Sequence, residues 1–181
     1  NKPVVKVDSK VSLAIEQFIR MLHHCGMPKE DLDLIHSEGK VMESLLKKAK
    51  HRMLQFNGSS RVAEHLSKTM AGKVKLEDAG FDWKVLGPDV GDVDYVAWQC
   101  DQDAYAAIGQ KCSAQSILFM HNNWNKHDLL AKMKKQVERR SLKDLTIGPV
   151  LTWNNTQIEE HISKLLELDG AKVLWGGKRL T

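Results

Sequence analysis

Short apolar segments alternate with helical patterns through residues 1–76, and this alternation limits the possible folds more than any other feature of the chain. Apolar residues recur at helical spacing within each helical pattern, and Gly26 followed by Pro28 ends the first of them. A strand–helix–strand order requires parallel strands joined by crossover helices, which is the doubly wound α/β arrangement. The predicted strands are 4–7, 32–35, 52–56 and 73–76, and the predicted helices are 12–25, 39–48 and 61–70.

The alternation continues less regularly in the second half of the chain. We expect a change of domain near residues 78–81, which divides the chain into 1–79 and 80–181. Ligands of doubly wound sheets bind at the carboxyl ends of the strands, and the turn after Phe56 is such a place. The predicted strands of this half are 83–86, 114–121 and 172–175, and its predicted helices are 93–108, 126–139 and 156–168.

Composition and charge exclude several classes of protein. The 181 residues carry a net charge of +4 that is spread along the chain, which does not favour nucleic acid as a partner. No apolar run approaches the roughly 18 residues of a membrane span. The three cysteines form no CxxC pair, so we predict neither a disulfide scaffold nor a metal site. Asp101 and Asp103 are predicted to face solvent rather than to form a paired-acid site.

The turn after strand 52–56 has the residues of a phosphate-binding loop. Gly58 allows the backbone to approach a ligand closely, and Ser59 and Ser60 supply hydroxyl groups. The helix that follows offers free N–H groups and the positive end of its dipole to a phosphate. The alternative is an ordinary turn in which a serine caps the helix. The G-x-G-x-x-G fingerprint of dinucleotide-binding loops is absent.

Two further stretches carry reactive side chains. Glu77 ends a predicted strand before a glycine turn, where a carboxylate can act as a general base on water; the alternative is a strand-ending acid in solvent. Cys112 lies in a polar loop beside Lys111, and nearby positive charge and backbone N–H groups favour a reactive thiolate; the alternative is a structural thiol. Cys25 and Cys100 fall on apolar helix faces, so we expect both in the core.

The three stretches, taken in order along the chain, resemble the aldehyde dehydrogenase superfamily. That family carries a phenylalanine–threonine–glycine–serine turn, a glutamate followed by two glycines, and a glycine–glutamine–x–cysteine loop. Segments 4–7, 148–150 and 171–177 also resemble family segments, so the resemblance extends over essentially the whole chain. The three motifs stand here as Phe56-Asn57-Gly58-Ser59, Glu77-Asp78-Ala79-Gly80 and Gly109-Gln110-Lys111-Cys112.

The resemblance implies a role for each of these residues. Cys112 would be the nucleophile that forms a thiohemiacetal and then a thioester with the aldehyde, and Glu77 would activate the water that hydrolyses the thioester. NAD would accept the hydride. The resemblance puts Gly58 and Ser59 against the pyrophosphate of NAD and Lys6 near its adenosine ribose.

One branch of the family resembles the chain more closely. Stretches 75–83 and 109–116, with Cys112 followed by Ser113, are typical of the enzymes that oxidise L-glutamate γ-semialdehyde to glutamate in proline catabolism. In that branch the serine helps to hold the α-carboxylate of the substrate, and the enzyme is located in the mitochondrial matrix. Two alternatives stay open: a different small aldehyde as substrate, or a non-catalytic binding or structural protein that retains the fold.

The resemblance also implies how the chain is organised. It assigns residues 1–79 to the second part of a Rossmann-like NAD-binding domain and residues 80–181 to the first part of a catalytic domain. We therefore expect the chain to be a section of a longer polypeptide that forms a homo-oligomer, and we expect the isolated section to be inactive. Ser9 stands where the family pattern has an acid close to the ribose, so the choice between NAD and NADP stays open.

Overall fold

A computed structural model describes residues 2–179, and within that range short strands alternate with helices as the sequence predicts. The strands are β1 (Val4–Lys6), β2 (Asp33–Ile35), β3 (Leu54–Asn57), β4 (Val74–Glu77), β5 (Asp82–Leu86) and β6 (Gln115–Met120). The α-helices are α1 (Ser12–His24), α2 (Gly39–Lys48), α3 (Ser60–Thr69), α4 (Val93–Tyr105), α5 (Leu129–Val137) and α6 (Asn155–Leu166). Shorter 3₁₀ turns cover Lys29–Asp31, Ala106–Gly109 and Asn122–His127.

The chain divides into two compact units. The first unit contains the residues up to 56 together with 61–76, and the second contains residues 57–60 together with those from 77 onward. In the described part of the chain, the hydrogen bonds group the strands in pairs: β1 with β2, β3 with β4, and β5 with β6. None of the helices in residues 2–179 is long and apolar enough to cross a bilayer.

The first unit is built from parallel strands and the helices that connect them. Strand β1 pairs with β2 in parallel register, so that Lys6 stands opposite Ile35. The amide of Leu54 at the start of β3 donates to the carbonyl of Lys73, which precedes β4. Helix α1 buries Ile19, and α3 buries Ala63 and Leu66, because these residues recur at helical spacing on one face. This architecture confirms the predicted α/β class.

The second unit has its own apolar core between a parallel strand pair and two helices. Strand β5 pairs with β6, and helix α4 packs against α5. Helix α4 begins where the Asp92 side chain accepts a hydrogen bond from the amide of Tyr95, at 3.0 Å. The indole N–H of Trp124 donates to the carbonyl of Gly87 at 2.8 Å. The buried core residues are Ala97, Cys100, Trp124, Leu129 and Met133.

Three sequence predictions about elements of the second unit are wrong. Residues 172–175 form no strand; Gly176 and Gly177 both have φ of +70°, so the chain turns there, and no strand in residues 2–179 pairs with this segment. Helix α4 ends at Tyr105 rather than at 108, because Ala107 and Ile108 adopt left-handed backbone angles. Helix α5 begins at Leu129 rather than at 126, because Asp128 also has a positive φ.

Candidate active site

The glycine–serine turn and Glu77 lie side by side at the carboxyl ends of β3 and β4. The amide of Gly58 donates a hydrogen bond to the carbonyl of Glu77, with an N···O distance of 3.2 Å. Gly58, Ser59 and Glu77 are all exposed, and Ser59 directly precedes helix α3. Backbone N–H groups, two hydroxyl groups and a carboxylate therefore meet solvent at one end of this strand pair.

The turn that follows Glu77 contacts the loop that carries Cys112. A Cβ atom built on Gly80 would overlap the carbonyl oxygen of Cys112, so only glycine fits there without a shift of one of the two segments. Together with the bond from Gly58 to Glu77, this contact joins all three sequence stretches within the second unit. The sequence identified the three stretches, and the folded chain brings them together.

Cys112 and Ser113 occupy the middle of a tight turn. The amide of Ala114 donates to the carbonyl of Lys111 at 3.2 Å, which closes a four-residue turn with the thiol and the hydroxyl at its two central positions. Ala114 is buried and anchors the turn, whereas Cys112 and Ser113 are both exposed. The two side chains predicted to meet an aldehyde and its carboxylate are therefore adjacent and accessible.

The three cysteines lie in different environments. Cys100 is completely buried on α4, and this burial raises the pKa of its thiol, as expected for a structural cysteine. Cys25 was predicted in the core but is exposed, because α1 ends at His24 and the chain turns away at Gly26, whose φ is +102°. Cys112 is the exposed thiol of the second unit among the residues that the structure describes.

The backbone just before the Cys112 turn has an unusual conformation. Ala107, Ile108 and Gly109 have φ values of +53°, +60° and +71° in succession. A left-handed conformation is readily available to glycine, but it costs about 1–3 kcal/mol for residues such as alanine and isoleucine, and it clusters at functional sites. The Cys112 loop is therefore held in place by interactions that offset this cost.

Helix α4, which leads to the loop, is fixed by two ion pairs that the sequence did not reveal. Asp101 was predicted to face solvent, but its carboxylate is fully buried and accepts two hydrogen bonds from Arg140, at 2.5 and 2.7 Å. Asp103 accepts from Lys84 of β5 at 2.5 Å, and this hydrogen bond holds the pKa of the Asp103 carboxyl below its usual value. The prediction for Asp101 was wrong because its partner Arg140 is distant in the sequence, whereas the Asp103 side chain remains 37% exposed.

Lys6 lies in the first unit, in a cleft of about 730 Å³ between helices α2 and α3. Lys6, Lys40 and Arg61 line this cleft and make no ion pair with any residue in the described range 2–179. Two carboxylates, of Glu38 and Glu43, also line the cleft, and most of the remaining wall is apolar. Cations beside apolar walls suit a ligand that combines a flat apolar group with hydroxyl or phosphate groups.

Nowhere in residues 2–179 do three histidine, cysteine, aspartate or glutamate side chains come together in a group that could hold a metal ion. The candidate site of the second unit consists of the Cys112 turn, Glu77 and the Gly58 turn. Lys6 lies separately in the cleft of the first unit.

Comparison with protein families gives the wider context of this site. All residues from 1 to 181 match the family described as the aldehyde dehydrogenase family. The chain belongs to the aldehyde dehydrogenase family. The resemblance inferred from the three motifs is thereby confirmed.

Two curated plant proteins are similar over nearly the whole chain. The chain is 61% identical over 180 residues to Delta-1-pyrroline-5-carboxylate dehydrogenase 12A1, mitochondrial, of Arabidopsis thaliana, which covers 99% of this chain and 32% of that protein. It is 59% identical to a probable aldehyde dehydrogenase of Linum usitatissimum, covering 99% of this chain and 33% of that protein. The aldehyde dehydrogenase chain thus spans about one third of the length of these relatives.

Solved structures of other aldehyde dehydrogenases have the same fold. A 1-pyrroline-5-carboxylate dehydrogenase from Thermus with bound NAD superimposes with a TM-score of 0.83 at 22% identity, covering 100% of this chain and 37% of that one. A 3,6-anhydro-L-galactose dehydrogenase in complex with NAP gives a TM-score of 0.86 at 22% identity, covering 100% of this chain and 39% of that one. These likenesses confirm the fold of the chain.

Proposed function

We propose that this chain is the part of an NAD-dependent aldehyde dehydrogenase that carries the nucleophile and the general base, and that the protein oxidises L-glutamate γ-semialdehyde to glutamate. The observation that carries the proposal is the continuous contact from the Gly58 turn through Glu77 and Gly80 to Cys112. The 61% identity to a relative named as a Δ1-pyrroline-5-carboxylate dehydrogenase supports the substrate. That relative is mitochondrial, and we extend the location to this protein.

Cys112 and Glu77 would divide the reaction between them. The Cys112 thiolate would attack the aldehyde carbon and form a carbon–sulfur bond, while backbone N–H groups of the turn stabilise the resulting oxyanion. Oxidation of this adduct leaves a thioester on Cys112. Glu77 would accept a proton from the water that attacks the thioester, which releases glutamate and restores the thiol. The exposure of both side chains is consistent with these roles.

The residues of the first unit and of the Gly58 turn fit the cofactor. When bound, NAD supplies the hydride acceptor for the oxidation. Lys6 would bind the adenosine ribose in the cleft between α2 and α3, whose cations and apolar walls suit a nucleotide. At the start of helix α3, Ser59 would bind the pyrophosphate with its backbone N–H and hydroxyl group, and Gly58, whose own amide donates to Glu77, would let the phosphate lie close to the backbone. On this proposal, residues 1–79 belong to the cofactor domain and residues 80–181 to the catalytic domain.

Ser113 would select the substrate. Its hydroxyl follows the nucleophile directly and is exposed in the same turn, where it would donate a hydrogen bond to the α-carboxylate of glutamate γ-semialdehyde. We expect Ser113→Ala to raise KM for this substrate much more than KM for an uncharged aldehyde of similar length. Equal increases for both aldehydes would contradict the carboxylate contact.

The proposal is tested by measuring NADH formation in the complete natural polypeptide that contains this chain. We expect the unaltered protein to oxidise glutamate γ-semialdehyde, and we expect Cys112→Ala to abolish the turnover. Cys25→Ala is the matched control, because Cys25 is the other exposed thiol in the described residues, and it should retain full activity. Lack of turnover in the unaltered protein, or full turnover in Cys112→Ala, would overturn the proposal.

A further inference from the structure

The side chain of Gln110 connects the Cys112 loop to a distant segment of the second unit. Its Nε2 donates a hydrogen bond to the carbonyl of Pro149 at 2.9 Å, and its Oε1 accepts one from the amide of Leu151 at 2.7 Å. Both partners are backbone groups about forty positions further along the chain. Gln110 therefore forms a two-point clamp between the loop and segment 149–151.

Only a carboxamide of this length satisfies both backbone groups. The carbonyl of Pro149 needs a donor and the amide of Leu151 needs an acceptor, and glutamine offers one of each. An ionised glutamate retains the acceptor but presents a second oxygen to the Pro149 carbonyl. Methionine matches the length of the side chain and removes both hydrogen bonds. These two substitutions therefore separate the contributions of the two contacts.

The clamp lies where the backbone needs to be held. The three residues before Gln110 adopt left-handed angles, including the β-branched Ile108, for which this conformation is unfavourable. The same distant segment also packs on this run, because a Cβ built on Gly148 would lie 3.3 Å from Cγ1 of Ile108. Two residues after Gln110, the chain presents the Cys112 thiol. The clamp thus acts at the junction between the strained run and the nucleophile.

We propose that Gln110 is a positioning residue, which fixes the direction of the Cys112 thiol by clamping its loop to Pro149 and Leu151. This proposal rests on the proposed function in so far as Cys112 is the nucleophile. Gln110 touches no reacting atom; it acts through the backbone of Lys111 and Cys112. Because displacement of a reacting group by about 1 Å can reduce a rate a hundredfold, loss of the clamp should reduce the rate of thiol attack.

The test compares Gln110→Met and Gln110→Glu with the unaltered complete polypeptide. We expect Gln110→Met to lower kcat and the rate of Cys112 alkylation by iodoacetamide by about tenfold or more. KM for NAD should stay unchanged, because no cofactor residue is altered. Gln110→Glu should also lower kcat and the alkylation rate, since it keeps the contact with the Leu151 amide but sets a carboxylate oxygen against the Pro149 carbonyl. Gln17→Met is the matched control, because Gln17 is exposed on α1 in the first unit, and it should behave as the unaltered protein.

Amide hydrogen exchange at Leu151 separates this inference from the proposed function. The Leu151 amide should be protected in the unaltered protein and lose protection in Gln110→Met, whether or not the protein oxidises an aldehyde. Unchanged protection would overturn the clamp itself. Lost protection with unchanged kcat and unchanged Cys112 alkylation would overturn the positioning role. An inactive unaltered protein whose Leu151 protection still depends on Gln110 would refute the proposed function and leave the clamp in place.

Discussion

At the scale of single residues, position in the fold separates chemically identical side chains. Cys100 and Cys112 are twelve positions apart, yet one is buried with a raised pKa and the other is exposed in a turn. Gly80 and Gly91 are both in loops, but a Cβ on Gly80 would overlap the Cys112 carbonyl, whereas one on Gly91 would meet no atom within 4 Å. Because of such differences, the same substitution at two residues of one type should have different effects.

Replacing Gly80 should therefore disturb Cys112, the proposed nucleophile. We expect Gly80→Ala to displace the Cys112 loop, to cost about 1–3 kcal/mol in stability as other overpacked sites do, and to slow alkylation of Cys112. The measurement is the alkylation rate together with the melting temperature in the complete polypeptide. Gly91→Ala serves as the control and should change neither quantity. A Gly80→Ala protein that matches the Gly91→Ala protein in both measurements would show that the two segments do not touch.

The sequence alone could propose which residues form the candidate site but not all of their surroundings. Cys112, Glu77 and Gly58 each stand in a local pattern of glycine, charge and strand end, and the order of these patterns resembles the aldehyde dehydrogenase family, so their roles stay predictions. Gln110 belongs to one of the same motifs, but its partners lie about forty positions away and no local pattern indicates them. The contact between Gly80 and Cys112 could not be predicted from the sequence either, because the two residues are also far apart along the chain.

At the scale of secondary-structure elements, one buried ion pair holds α4 to the residues that follow α5. The Asp101 carboxylate has no exposed surface, and the Arg140 side chain retains 18% of its own. The Arg140 guanidinium also lies over the ring of Tyr105, 5.0 Å from its centre. The hydrogen bonds to Asp101 raise the pKa of Arg140, so the arginine stays charged. These contacts fix the last turn of α4, which precedes the Cys112 loop.

Removing one partner of this pair should destabilise the second unit strongly. We expect Asp101→Ala to cost about 3–5 kcal/mol, because the Arg140 charge then lacks its partner in a largely buried place. Asp94→Ala is the control: Asp94 pairs with Lys132 but is 80% exposed, so its loss should cost less than about 1 kcal/mol. The difference can be measured as amide protection along α4. Equal protection in the two variants would mean that the buried pair contributes no more than the exposed one.

Glu43 of α2 contacts His65 of α3 at 2.9 Å, and the contacts of Glu43 should make the stability of the first unit depend on pH. Glu43 accepts hydrogen bonds from Lys47 and from His65, and these contacts lower the pKa of its carboxyl. A lowered carboxyl pKa stabilises the fold above the unfolded-state pKa, and this contribution is lost as pH falls through the lowered value. Glu43→Gln should thus reduce the melting temperature at pH 7 and have progressively less effect toward pH 3. A loss of melting temperature in Glu43→Gln that is the same at every pH would contradict these contacts.

Some helices and strands could be predicted from the sequence and others could not. Hydrophobic periodicity was sufficient for most helices, and the short apolar runs between them were sufficient for the strands. The end of α4 was missed because Ala107 and Ile108 carry no mark of a left-handed conformation, which tertiary contacts impose. Segment 172–175 has the composition of a strand, but composition does not supply a neighbouring strand to pair with.

At the scale of the whole molecule, one face of the β5–β6 pair is apolar and exposed. Trp83 and Val85, two positions apart in β5, lie on that face with 65% and 58% of their surface exposed. Phe119 of β6, which stands opposite Val85, is 53% exposed. Exposed contiguous apolar surface of this kind is typical of a face that other protein surface covers. The relatives are about three times as long as this chain, which is consistent with such a covering.

The isolated 181-residue polypeptide should therefore self-associate and lack activity. Light scattering and NADH formation, measured on the polypeptide alone, test this expectation. Trp83→Glu should reduce the association, because it introduces a charge into the apolar face. A monomeric polypeptide that oxidises glutamate γ-semialdehyde would contradict the expectation.

The central claim is that Cys112 forms the covalent intermediate and Glu77 governs its hydrolysis. The most direct measurement is the mass of the Cys112 peptide after the complete Glu77→Gln protein reacts with glutamate γ-semialdehyde and NAD. We predict a thioester adduct on Cys112, because hydrolysis is slowed when the general base is removed. No adduct on Cys112, or an adduct on Cys25 instead, would contradict the account.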